Sequence, residues 1–517
     1  MVYHKYVLFS FLICLIGFSC KNASKQKIHD TPDLGQISIE VSTSANAKSA
    51  FEEGLLLLHS FQYKDAAEKF AEAQKIDSSF ALAYWGEAMT HNHTLWREQN
   101  KTKATDILYR LGESKSERLA KIPTDFERDL FEGAEIIYGE GTKNERDILY
   151  SAHMEKLQKK YPDNHEVAAQ YALSVLGAVE EGRDFDAYAK GAKIAQSIID
   201  ENPNHPGALH YLIHSYDDPE NAPKALDAAN RYSKVAPDAN HALHMPSHIY
   251  VALGMWDDVI SSNKAAFAAS DKRKKEKELD NDALDFHSLK WLMYGHLQKG
   301  EFDEARKLVE KMEAYCHQEQ SKKALAHLVM MKGAYFSETE NWGDALSQDT
   351  FDYSKMSVQI MAVHNFNEAM RAYNKKDAND INKQIQLTKA SIADAQKKVM
   401  AGGAAMCGAN YNRSMPTQLH IDRATVMQKE MEALIALLNN DGPTFETLMK
   451  EATELEDLTS YKYGPPEIVK PSSEMYAEWL IENGRTEEAK IHLEKVLKRA
   501  PKRLIVMNAI DRIVTNS

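Results

Sequence analysis

The chain repeats itself roughly every 34 residues, and that period constrains its fold more than any other feature. Near the start, Gly54 is followed by Ala66, Phe70 and Ala73, and Asp77-Ser78 ends the pattern. Near the end, Ala477, Ala489, Leu493 and Val496 fall at the same mutual offsets, with Pro501 as the stop. Pro203 and Pro237 stand one period apart, as helix-ending prolines of consecutive units would. Between such stops, apolar residues recur at threefold and fourfold spacing, which is the helical period, and alternating β-branched runs are few. A unit of two such helices cannot bury its apolar face alone. Successive units must therefore stack, each touching its neighbours, into an all-α superhelix.

Small residues where paired helices touch (Gly54 and Ala66, Ala477 and Ala489), an apolar residue four positions on (Phe70, Leu493) and a terminal proline resemble the tetratricopeptide repeat (TPR). Further units of this kind fit around Gly254-Met-Trp256, around Gly300-Glu-Phe302 with Ala305, and around Gly333 with Trp342 and Ala345. About Leu95 to Ala168 and Asn374 to Thr425 match poorly. The resemblance implies an all-α, TPR-type helix-turn-helix solenoid whose concave wall is built from the first helix of each pair. The strings Ala83-Tyr-Trp-Gly-Glu-Ala-Met-Thr-His-Asn-His93, His210-Tyr-Leu-Ile-His-Ser-Tyr-Asp-Asp-Pro219, His244-Met-Pro-Ser-His248 and Tyr463-Gly-Pro-Pro466 resemble bacterial TPR lipoproteins with no established activity. That likeness implies a fold and no reaction.

Two histidine pairs follow the period. His210 and His214 are four apart, as are His244 and His248, and the second pair is the first displaced by one repeat. On a helix each pair shares a face, with Cβ atoms about 5–6 Å apart. Adjacent helices lie about 8–10 Å apart, which allows four imidazoles to meet at one point in the groove. Imidazole clusters suit Zn, Cu, Ni or Fe. Asp217 continues the same face and is offered as a further ligand, a partner fixing the histidine tautomers, or a base. His241 precedes His244 by three. The alternative is that duplicated sequence has duplicated histidines that bond backbone or line a polar groove. His91 and His93, beside Trp85 and Trp96, read as a helix end with aromatic packing, and His287 and His296 have no assignment.

The N-terminus carries an address. Lys5 precedes an apolar run from Tyr6 to Ser19, too short to span a bilayer, which reads as a secretory signal over residues 1–19. Gly17-Phe18-Ser19-Cys20 resembles a bacterial lipobox, which implies acylation of Cys20, palmitate included, and a membrane held through the lipid. No Asp follows Cys20, which points to an outer-membrane lipoprotein of the cell envelope. Residues 20–46 read as a flexible tether. The body is then divided into TPR-like repeats over 47–395, a glycine-rich irregular loop over 396–420, and C-terminal TPR-like repeats over 421–517. Within that loop, Tyr411 and Arg413 are candidates to reach across the groove. Of the four cysteines, Cys316 and Cys407 are left to form or not form a bridge, which spacing does not decide.

With 63 Lys and Arg against 76 Asp and Glu, the net charge is −13. No basic stripe is present, so nucleic acid is not expected as a partner. The phosphate-binding, dinucleotide, zincin and nucleophile-elbow motifs are absent. Ser261-Ser-Asn-Lys264 matches a serine acyltransferase pattern by letters alone, and the basic run 272–277 reads as a solvated connector. Two functions follow: a lipid-anchored scaffold whose groove binds a protein, peptide or oligosaccharide, or a metal-binding protein or metalloenzyme centred on His210, His214, His244 and His248.

Overall fold

A computed structural model describes residues 32–180, 182–348, 350–400, 416–459 and 464–516. Cys20, Cys407, Tyr411, Arg413 and the apolar run at the start therefore lie outside the described residues.

Within them the chain is all-α, apart from one two-residue antiparallel pairing of Asn92–His93 with Glu98–Gln99. Helices succeed one another as hairpins, beginning with Ala45–His59 and Tyr63–Ile76, and each packs chiefly on its neighbours in sequence. Local chemistry sets their limits. Ser44 caps the first helix by accepting from the Ala47 amide, and Thr142 with Glu145 forms a reciprocal capping box. Pro206 begins the helix Pro206–Ser215, where its missing N–H costs nothing. The ring of Phe70 lies so close to Gly54 that a Cβ there would approach it to 2.9 Å, which is why the small residue recurs at this contact. The poorly matching stretch after Leu95 is helical as well, with helices Lys101–Leu111, Asp125–Ile137, Lys143–Lys160 and His165–Gly177.

Three expectations need correction. Units do not touch only their neighbours: the first helix, Ala45–His59, also packs against Pro206–Ser215, so the early repeats close on themselves. The stretch 20–46 is not a tether throughout. Leu34 and Ile39 are buried, Gln36 N–H donates to the Asn204 carbonyl (2.9 Å) and Asp33 N–H donates to Asp238 (2.7 Å), so residues 33–39 lie against the repeats. Apolar residues spaced through that polar stretch give it something to bury. Nor is the basic run 272–277 a solvated connector. It ends the helix Trp256–Glu276, and Arg273 grips Asp65 with two hydrogen bonds of 2.7 and 2.8 Å, tying that helix to the first hairpin.

Among the described residues two apolar cores result. One runs from Leu34 to Val259 and takes in Trp291, and the other from Phe267 to Ile513 includes buried Cys316. The last helix, Leu504–Asn516, returns to the helix Phe286–Gln298, with Leu504 N–H donating to Gln298. Of the irregular loop expected over 396–420, the first residues belong to the helix Ala378–Met400 and the last to Gln418–Leu438. No helix among the described residues is long and apolar enough to cross a membrane.

Candidate metal centre

His210 and His214 project from Pro206–Ser215, and their ring centroids are 4.8 Å apart. His244 ends the short helix Asn240–His244, and His248 lies in Pro246–Leu253. Pro246 removes one backbone donor between them. Met245 nevertheless keeps helical angles (φ −54°, ψ −35°), so the fourfold relation survives and the rings stand 5.1 Å apart. The two pairs meet edge to face at His214 and His248, 5.3 Å apart. As expected from the period, consecutive repeats bring all four imidazoles together.

They do not share one point. One ring nitrogen from each of His210, His214 and His241 falls within 4.8 Å of the others, and the same holds for His244, His248 and His287. The six rings thus form a continuous array of two triads, with His241 and His287 each adding a third donor. His287 comes from the next repeat and has no assignment in sequence because no histidine stands four positions from it there. His241 is shifted by three rather than four, a spacing that still shares the helix face.

Hydrogen bonds fix the tautomers. Asn263 donates its amide to the Val259 carbonyl, so its oxygen accepts the Nδ1–H of His244 at 2.6 Å. His248 Nδ1–H donates to Asp217 Oδ2 at 3.1 Å, and His214 Nδ1–H donates to the same oxygen at 3.2 Å. His210 Nδ1–H donates to the backbone carbonyl of His59 at 2.7 Å. Each Nε2 is consequently a lone-pair donor. Those of His244 and His248 face each other at 3.2 Å. Two ligands on a tetrahedral ion with metal–nitrogen bonds of about 2.0–2.1 Å would be separated by roughly 3.3 Å.

Burial disfavours a proton as the alternative occupant. Desolvation, then repulsion between neighbouring imidazoles, holds His210, His241 and His287 well below the ordinary histidine range, and pushes His248 down to about 3. Asp217 is fully buried; burial alone would raise its carboxyl, but Arg183 and the two imidazoles hold it well below the usual carboxylate range. Arg183 donates to Oδ1 at 2.6 Å while both histidines occupy Oδ2. With both oxygens committed behind the rings, Asp217 orients ligands, and of the three roles offered by sequence this geometry matches the tautomer-fixing one.

Aromatic rings enclose the array. Phe61, at a left-handed φ of 53°, sets its ring 4.3 Å from that of His210. Trp291 stacks on His248 at 4.9 Å and 21°. Gly464 lies tight against the indole of Trp291, so the 464–466 segment packs on a ring that covers the site. His93 is not a ligand here: the helix Ala81–Met89 has ended before it, and its ring stacks on Tyr63 at 4.1 Å.

A third histidine group behaves differently. His59 Nε2–H and His205 Nε2–H donate to the two oxygens of Glu166 at 2.7 and 3.0 Å. His59 Nδ1 then accepts from the Tyr211 hydroxyl, and His205 Nδ1 from the Ala208 amide. Both imidazoles are satisfied at both nitrogens, so this cluster ties the first helix to His165–Gly177 and Pro206–Ser215 and leaves neither ring nitrogen open to an ion.

No family model matches the chain, and no curated protein matches it. Among solved structures, yeast Tom70 is similar at 11% identity over 91% of this chain and 95% of that one, with a TM-score of 0.32. The human IFIT1 dimer with m7Gppp-AAAA gives 10% identity over 92% and 83%, TM-score 0.34. The P58(IPK) TPR domain gives 12% over 91% and 98%, TM-score 0.22. At such scores the fold stands on the stacked hairpins of the chain itself.

Proposed function

We propose that the protein binds a divalent transition metal, zinc, copper, nickel or iron, on His244, His248 and His287. The observation that carries this reading is the 3.2 Å approach of two Nε2 lone pairs whose Nδ1 protons are both engaged elsewhere. Two such lone pairs repel unless a cation lies between them. The engaged Nδ1–H groups, one on an amide oxygen and one on a carboxylate, are the partners that metal-bound histidines ordinarily have. A three-imidazole set leaves a coordination position for water or substrate, which a catalytic site needs and a sealed structural one lacks. Elemental analysis of protein purified without chelator should find stoichiometric metal, and H244A/H248A should lack it. Wild-type protein that neither retains metal nor shifts its melting temperature on titration with zinc or copper sinks the reading.

The outer setting is proposed from the N-terminal sequence: export, acylation of Cys20, and residence in the outer membrane of a bacterial envelope. There the stacked hairpins offer extended surfaces for a protein, peptide or oligosaccharide partner. Metabolic labelling with palmitate should mark the full chain and not C20S. A wild-type chain that takes up no label removes the lipid anchor.

A further inference from the structure

We propose that a second transition-metal ion binds one repeat away, on His210, His214 and His241, and that Asp217 couples the two ions. This rests on the reading of His244, His248 and His287 as a metal centre and adds a site to it. The repeat period sets His210 and His214 where His244 and His248 stand in the next unit. One nitrogen of each histidine in the triad lies within 4.8 Å of the other two, so an ion needs side-chain movements of about an ångström to draw them in.

Independent observations point to a ligand. His210 is completely buried, and its Nδ1–H goes to the His59 carbonyl. Its Nε2 is left as a buried acceptor without a hydrogen-bond partner, and Nε2 of His241 is likewise buried with no hydrogen-bond partner. Leaving such a buried atom unmet is costly, and both belong to one triad. Three imidazoles with no carboxylate among them suit copper, zinc or nickel rather than calcium or magnesium.

The coupling follows from one oxygen. Asp217 Oδ2 accepts from His214, a member of one triad, and from His248, a member of the other, while Arg183 pins Oδ1. Drawing either histidine onto an ion tightens its hydrogen bond and fixes the carboxylate that aims the other. Occupying one site therefore pre-organises its neighbour. Asp217 is a positioning residue for both.

Copper(II) titration of the full-length protein, followed by elemental analysis and electron paramagnetic resonance, tests this. His241 and His287 are only half-buried and carry no hydrogen bond that the fold needs, so H241A and H287A should fold normally by circular dichroism. Two equivalents per wild-type chain, one in H241A, one in H287A and none in the double variant are expected, with the wild-type spectrum broadened by a neighbouring spin and either single variant giving the sharp signal of an isolated ion. D217N should weaken both sites roughly 10- to 100-fold. One equivalent in the wild type, unchanged in H241A and lost in H287A, overturns the second ion and leaves the first standing. One equivalent lost in both variants means that six histidines serve a single ion, and also overturns the pair. No copper at all overturns both readings.

Discussion

At position 464 a Cβ would stand 2.3 Å from Cζ2 of Trp291, on a backbone with φ +101°. G464A must therefore shift the indole from its stacked position on His248 or distort the turn, and either costs about 2–4 kcal/mol from overpacking and left-handed strain. Denaturant unfolding should show that loss, and zinc affinity should fall with it as the stacked ring withdraws. Glu166 gives a prediction with a sign. Burial alone would raise its carboxyl, but the two imidazoles it bridges hold it well below the usual range. Its stabilisation is thus complete above the ordinary carboxylate pKa of about 4.3 and disappears as pH falls through the depressed folded value. A glutamine at 166 can accept from one imidazole only and turns an N–H against the other. E166Q should lose about 3–5 kcal/mol at neutral pH, and the gap between the two melting curves should narrow below about pH 4. A gap that does not change with pH would mean that Glu166 is not ionised in the fold.

Among elements, the last helix depends on one buried cation. Arg503 is fully buried, donates to Glu474 at 2.6 Å and to the Tyr294 hydroxyl at 3.2 Å, and is also paired with Glu338. R503A leaves two carboxylates buried without their partner and should cost about 3–5 kcal/mol. Hydrogen exchange should rise first in Leu504–Asn516, because that helix enters the fold directly beside the lost contact. The helices themselves were legible in sequence, since threefold spacing and regular proline stops are local signals. Much of the site was legible too: His210 and His214 announce themselves by returning one repeat later as His244 and His248. What sequence could not supply is distance across the fold. The closure of Ala45–His59 on Pro206–Ser215, the grip of Arg273 on Asp65 and the arrival of Gly464 against Trp291 join residues far apart in the chain without a periodic trace. The split into two triads was missed for the same reason, because His287 has no counterpart four positions away.

For the molecule as a whole, the proposed metal binding is linked to folding, since the unfolded chain has no assembled triad. An ion present at a hundred times its dissociation constant adds about 2.7 kcal/mol to stability. The melting temperature should accordingly rise with zinc or copper and fall on dialysis against a chelator, while H244A/H248A shows neither response. The segment before the first helix belongs to the folded body as well. A chain starting at Ala45 forfeits the burial of Leu34 and Ile39, worth about 1.5–3 kcal/mol for each side chain, and should melt earlier than one starting at Pro32. The His59 carbonyl orients His210, Trp291 covers His248, and Gly464 lies against Trp291. During synthesis from the N-terminus, six imidazoles therefore emerge long before the wall that encloses them. On the proposed reading, a chain that has only partly emerged, from the ribosome or across a membrane, offers metals loose, competing histidines, so selective loading waits until the residues around 464 are in place.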